Sequence, residues 1–199
     1  MKRYKENETA ALAQILKKDG VIAVPTDTVY GVCARMSTQE AQEHLRDVKH
    51  RPLTKAFPIM CSDENQIRTI AVVDARAEKL IRAFMPGPLT LILRKKEDVP
   101  AYVNGGMDTL AIRMATSLPL KKLIEETGCP VFMTSANQSG QPTCRTLDEI
   151  EAACPTLDAM MEGDVTFGEA STILDCTAET VKILRQGPIT MEEIQKALA

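Results

Sequence analysis

Short apolar, β-rich runs alternate with amphipathic stretches along the 199-residue chain. This alternation constrains the fold more than any other feature. Residues 21–25, 56–60, 89–94, 110–113, 130–134, 172–174 and 181–184 read as strands, too short and too rich in Val and Ile for buried helices. Between them, 7–18 reads as a helix with Ala11, Leu12, Ile15 and Leu16 on one face and Gly20 as its stop. Ser37-Thr38-Gln39-Glu40 has capping-box spacing and opens a helix to about Val48. Residues 74–84 are helical and end at Pro86-Gly87-Pro88. Ser117 caps a helix to about Thr127, with Gly128 past its end, and Thr146 and Thr190 open two more. Some strands follow one another with no helix between. The expectation is therefore an α/β fold with a mixed open sheet and flanking helices, not a regular doubly wound one. Residues 1–199 read as one domain with its core at about 10–190.

Composition narrows the functional classes. Hydrophobic residues make up 44% and charged residues 26%, the balance of an ordinary globular protein. No apolar run approaches the ~20 residues of a membrane span, and Met1 to Asn7 leads into an amphipathic stretch without an apolar signal core. No membrane association and a cytoplasmic location are expected. None of the six cysteines forms a Cys-x-x-Cys pair and there are only two histidines, so zinc-ligand spacing is absent. A net charge of −3 argues against a wide basic face for nucleic acid. P-loop, dinucleotide-fold and nucleophile-elbow glycine patterns are missing as well.

The polar signal lies in two distant segments. Lys49-His50-Arg51-Pro52-Leu53-Thr54-Lys55 carries three fixed cations where Pro52 breaks a helix. Thr134-Ser135-Ala136-Asn137-Gln138-Ser139-Gly140 supplies hydroxyl and amide groups just after a strand. Cations and small donors at strand ends suit a polyphosphate. Each has a plainer alternative: a solvated helix end for the first, an Asx or Ser turn for the second. Thr26-Asp27-Thr28-Val29-Tyr30-Gly31 is either a ligand-holding strand end or a simple turn. Arg113, set among apolar neighbours, needs an anionic partner, either a substrate carboxylate or an internal acid. Ser171-Thr172 and Arg185 are weaker signals, and Arg185 also fits a strand exit.

Together with Pro86-Gly87-Pro88-Leu89-Thr90, Leu110-Ala111-Ile112-Arg113 and Ser171-Thr172-Ile173-Leu174-Asp175, and in this order, these segments resemble the threonylcarbamoyl-AMP synthase family, the proteins with a YrdC-like domain. The resemblance implies a single domain with a twisted, open sheet and a concave active-site cavity, in a short form without the family's extra C-terminal domain. It implies formation of L-threonylcarbamoyladenylate and pyrophosphate from L-threonine, bicarbonate or CO2, and ATP, with Mg2+ arriving on the nucleotide and no protein metal site. A downstream transferase complex would modify tRNA, and weak contact with tRNA or double-stranded RNA is a further expectation. By residue, the resemblance assigns Lys49, Arg51 and Lys55 to catalysis. It places Thr28, Met60, Arg113 and Ser171 at threonine. It places Arg51, Lys55, Thr109, Ser135, Asn137, Thr143 and Arg185 along ATP. Many relatives carry a histidine where this chain has Met60. The alternative is a divergent or non-catalytic paralogue that binds nucleotide or RNA.

Overall fold

One ten-stranded sheet collects every apolar run named above. The computed structural model describes residues 1–165 and 170–199. The first half of the chain forms β1 (Lys2–Tyr4), α1 (Thr9–Leu16), β2 (Ile22–Val24), β3 (Gly31–Arg35), α2 (Gln39–Lys49), β4 (Ile59–Cys61), α3 (Glu64–Ile70), α4 (Ala75–Phe84) and β5 (Leu89–Arg94). A 3-10 turn at Ala101–Asn104 leads to β6 (Thr109–Met114), α5 (Leu118–Thr127), β7 (Val131–Ser135), α6 (Leu147–Ala153), β8 (Ala159–Met161), β9 (Thr172–Asp175), β10 (Lys182–Arg185) and α7 (Met191–Leu198).

The strand order is β1-β8-β2-β3-β7-β4-β6-β5-β9-β10. Parallel pairs (β1 with β8, β2 with β8, β4 with β6, β5 with β9) sit among antiparallel ones, as the uneven connections led one to expect. Register divides the side chains between two faces. On the first, Val32, Ile59, Phe132, Ile112, Leu91 and Leu174 meet α2, α3, α4, α6 and α7 through Leu45, Ile67, Leu80, Ile150 and Ile194. On the second, Ile22, Cys33, Met60, Val131 and Met133 are covered by α1 and α5 through Leu12, Leu16, Leu123 and Ile124.

Several helix ends follow directly from local chemistry. Asp74 accepts from the Ala77 amide at 2.8 Å and Ser117 from the Leu120 amide at 3.3 Å. Gly128 closes α5 in the left-handed region at φ 85°, and Thr190 forms a full capping box with Glu193. Two expectations need correction. The N-cap of α2 is Thr38, and its hydroxyl makes no cap bond; it turns to Asp19, which also holds Arg35 at 2.7 Å. The left-handed residue after α1 is Asp19 (φ 63°), not Gly20. Gly20 is needed for close approach, since a Cβ there would lie 2.5 Å from the Ile15 side chain.

Four elements were not anticipated. β1 is a polar tripeptide made into a strand only by pairing with β8, and β8 is itself only three residues long. β3 forms a hairpin with β2 immediately after the Thr26–Gly31 motif. α3 shows only Ile67 and Ile70 as an apolar face, although Asp63 caps it through the Gln66 amide. β4 begins later than residue 56, because the carbonyls of Lys55 and Ala56 accept from Arg51 instead of a neighbouring strand.

Candidate functional site

The second face of the sheet changes character across its width. Under α1 and α5 it is apolar. From β6 outward, all helices among the described residues pack on the opposite face. Register puts Thr109, Ala111 and Arg113 of β6, Thr90 and Ile92 of β5, Ile173 of β9 and Arg185 of β10 on this uncovered half. Met60 is level with Arg113 on the same face, and Ser135 shares it at the end of β7. Thr109, Ala111, Ile92 and Ile173 are only half-buried.

Arg113 anchors the first cluster. Its Nε donates to the Gly87 carbonyl at 3.0 Å and its Nη1 to Thr28 Oγ1 at 2.9 Å. Its Nη2 donates to both oxygens of Asp27 at 2.6 Å. Of the two partners open at the sequence level, the structure supplies the internal acid. Burial pushes the Arg113 pKa down while the Asp27 carboxylate pushes it up, and nearby Arg185 lowers it further. The Thr26–Gly31 segment is a turn: Thr26 Oγ1 donates to the Val29 carbonyl at 2.5 Å and accepts from the Thr28 and Val29 amides at 3.2 Å. That turn delivers Asp27 and Thr28 to the guanidinium, so turn and polar cluster are one feature. Beside it, the Ser171 and Thr90 hydroxyls lie 2.8 Å apart. Arg185 donates to the Ser171 carbonyl at 2.8 and 3.0 Å and to its hydroxyl at 3.2 Å.

Lys49 anchors the second cluster, at the end of α2. Its side chain is almost wholly buried, with a relative exposure of 1%. Its ammonium donates to the carbonyls of Ser135 and Asn137, and to Asn137 Oδ1 at 3.0 Å. Three protons meet three acceptors. The Lys49 carbonyl accepts from the Ser139 amide at 3.1 Å, which closes the link. Burial, with no carboxylate beside it, lowers the Lys49 pKa to about 8. Within the loop, Ser135 Oγ donates to Asn137 Oδ1 at 2.6 Å, and Asn137 Nδ2 donates to the Gln141 carbonyl at 2.5 Å. Gln138 ties the loop to the Val48 and Ala153 carbonyls. The two distant polar segments of the sequence therefore meet directly, through Lys49.

The remaining candidates are more scattered. Arg51 is half-buried, donating to the Lys55 and Ala56 carbonyls at 3.1 and 2.6 Å, while Lys55 itself is exposed. Met60 is buried in the apolar layer under α1 and α5. Thr109 stands at the far end of β6 from Arg113, opposite Arg94. Thr143 is half-buried on the loop after Gly140. Asp27 is the functional residue that the sequence motifs left without a role; the signal for it was the need of Arg113 for an acid. Cavities of about 560 Å3 beside Arg76, Arg94 and Glu179, and about 290 Å3 beside His44, His50 and Gln138, are not lined by Arg113, Lys49 or Ser171. The implied concave active-site cavity is neither of these.

Comparison with known proteins agrees with this fold. The Sua5_yciO_yrdC family model, described as telomere recombination, matches residues 14–187. The threonylcarbamoyl-AMP synthase of Pyrococcus abyssi (strain GE5 / Orsay) is 33% identical over 98% of this chain and 58% of its own length. The enzyme of that name from Bacillus subtilis (strain 168) is 33% identical over 96% of this chain and 56% of its own. A crystal structure of P. abyssi Sua5 complexed with L-threonine superposes with a TM-score of 0.92 at 31% identity, covering 99% of this chain and 60% of that one. The chain thus spans little more than half the length of these relatives. With a family match running from α1 past β10 and this fold in common, the chain belongs to the Sua5/YciO/YrdC family.

Proposed function

We propose that this chain forms L-threonylcarbamoyladenylate and pyrophosphate from L-threonine, bicarbonate or CO2, and ATP, as a cytoplasmic step toward threonylcarbamoyladenosine in tRNA. One observation carries the reading. A buried guanidinium and three clustered hydroxyls lie on the same side of the sheet as Ser135, whose loop Lys49 braces, in a family with a member solved with L-threonine.

In this reading the carbamate oxygen of N-carboxythreonine attacks the α-phosphorus of ATP, and the bond to the pyrophosphate oxygen breaks. Such transfer depends on positioning and charge neutralisation more than on a protein base. Arg113 takes the threonine carboxylate, which then competes with Asp27 for the guanidinium. Thr28 and Ser171 hold the polar end of threonine, and Met60 offers an apolar wall. Arg51 and Lys55 face the phosphates; Lys49 acts through the loop it braces, setting Ser135 and Asn137 along the nucleotide with Thr143, Thr109 and Arg185. No group of three or more potential metal ligands occurs among the described residues, and the donors near Ser135 are neutral. Mg2+ would arrive on the phosphates and would neutralise charge there. The product would pass to a transferase complex acting on tRNA.

The test is pyrophosphate release by the purified chain with each substrate omitted in turn. Release that needs all three, with the adenylate seen by mass spectrometry, supports the reading; ATP binding without release contradicts it. Met60, apolar and buried where the resemblance places a histidine, favours a second reading, a divergent nucleotide-binding paralogue. Under that reading Met60→His restores release to an inactive chain.

A further inference from the structure

The cationic loop is shaped by a residue outside the motif. Residues 52–55 form a turn closed by the Lys55 amide on the Pro52 carbonyl at 3.0 Å. Arg46, in the last turn of α2, reaches into it. Its Nη1 donates to the Pro52 carbonyl at 2.6 Å, with the Lys55 and Arg51 carbonyls at 3.3 and 3.4 Å. The Arg46 guanidinium lies 5.0 Å from the Phe57 ring centre, and that of Arg51 lies 4.8 Å from the same ring. Neither arginine has an ion-pair partner among the described residues. Burial and their mutual repulsion both disfavour the charge on Arg51. Two like charges gathered on one aromatic ring, with Asp47 favouring the charge on Arg46 but forming no ion pair with it, suit an arriving polyanion, and the ring compensates in part by cation–π attraction.

We propose that Arg46 is a positioning residue for polyphosphate: it fixes the 51–55 turn and, through the shared Phe57 ring, the direction in which Arg51 presents its guanidinium. The nature of the anion rests on the synthase reading; the bracing of the turn does not. Lys49 braces the Ser135–Asn137 side and Arg46 the cationic side, so the two cations at the end of α2 organise opposite loops.

The test combines hydrogen exchange at the Lys55 amide with steady-state kinetics for wild type, Arg46→Ala and Arg46→Lys. The expected result for Arg46→Ala is faster exchange across residues 53–57, and a KM for ATP and an inhibition constant for pyrophosphate raised about tenfold, as for loss of one charged hydrogen bond. The KM for threonine stays unchanged. Arg46→Lys, able to reach a carbonyl but not to stack as a plane on Phe57, recovers part of the exchange protection and little of the ATP affinity. Unchanged exchange in Arg46→Ala, or equal shifts in the ATP and threonine KM values, overturns the proposal. If the wild-type chain releases no pyrophosphate, the synthase reading falls, while the exchange data still decide whether Arg46 braces the turn.

Discussion

Lys49, at the end of α2, and Arg113, on β6, are both buried cations beside one sheet, yet the chain satisfies them in opposite ways. Arg113 faces a carboxylate, in a two-oxygen contact with Asp27. Lys49 faces only backbone and amide oxygens of the Ser135–Asn137 loop. An ion pair keeps its charge and can exchange one carboxylate for another, which suits a place where an amino acid's carboxylate arrives. An ammonium held by dipoles organises those dipoles and becomes titratable, which suits a brace. In the proposed function the two cations divide recognition from scaffolding.

The largest expected effect comes from breaking the ion pair on one side. Asp27→Ala leaves the Arg113 guanidinium buried without its acid, and about 3–5 kcal/mol of stability is lost; urea unfolding measures it. A loss below about 1 kcal/mol would place the guanidinium in water and undo the contrast. Lys49→Met removes the donor for three loop oxygens and is expected to cost about 1–3 kcal/mol, with a higher KM for ATP.

A pH series sharpens the contrast. The folded-state pKa of Lys49, about 8, lies below the ordinary 10.5. Between those values the unfolded chain holds the proton and the folded chain releases it, so stability rises with pH across that window relative to Lys49→Met. Below it, both states are protonated and the difference is flat. Asp27→Asn leaves this slope unchanged, since the guanidinium keeps its charge there. The smallest effect is expected for Ser171→Ala, which removes one hydroxyl from Thr90 and Arg185 and costs about 1 kcal/mol with a higher KM for threonine.

How much of this was legible in the sequence depended on how local the causes were. Asp74, Ser117, Gly128, Thr146 and Thr190 marked helix ends correctly because a cap is satisfied within a few residues. Thr38 had a capping sequence, but its hydroxyl donates to Asp19, which lies far back in the chain, and accepts from Arg35. β1 and β8 were invisible because pairing across the sheet, not propensity, makes them strands. At the site, the polar segments were legible as types of chemistry, but their partners were not. Nothing near Lys49 in the chain announces that its ammonium lies against Ser135 and Asn137. The role of Arg46 was hidden as well, since it comes from a turn at residues 52–55 that follows the end of α2, which closes at Lys49 with His50 in the left-handed region (φ 47°) and not at Pro52 as expected.

The most direct test of the division between these two cations is pyrophosphate release measured with threonine and ATP varied separately, for Lys49→Met and for Arg113→Lys. The account expects a crossed pattern: Lys49→Met raises the KM for ATP about tenfold or more and spares that for threonine, and Arg113→Lys does the reverse. If each variant shifts both constants alike, the two cations serve one undivided site and the contrast drawn between them is wrong.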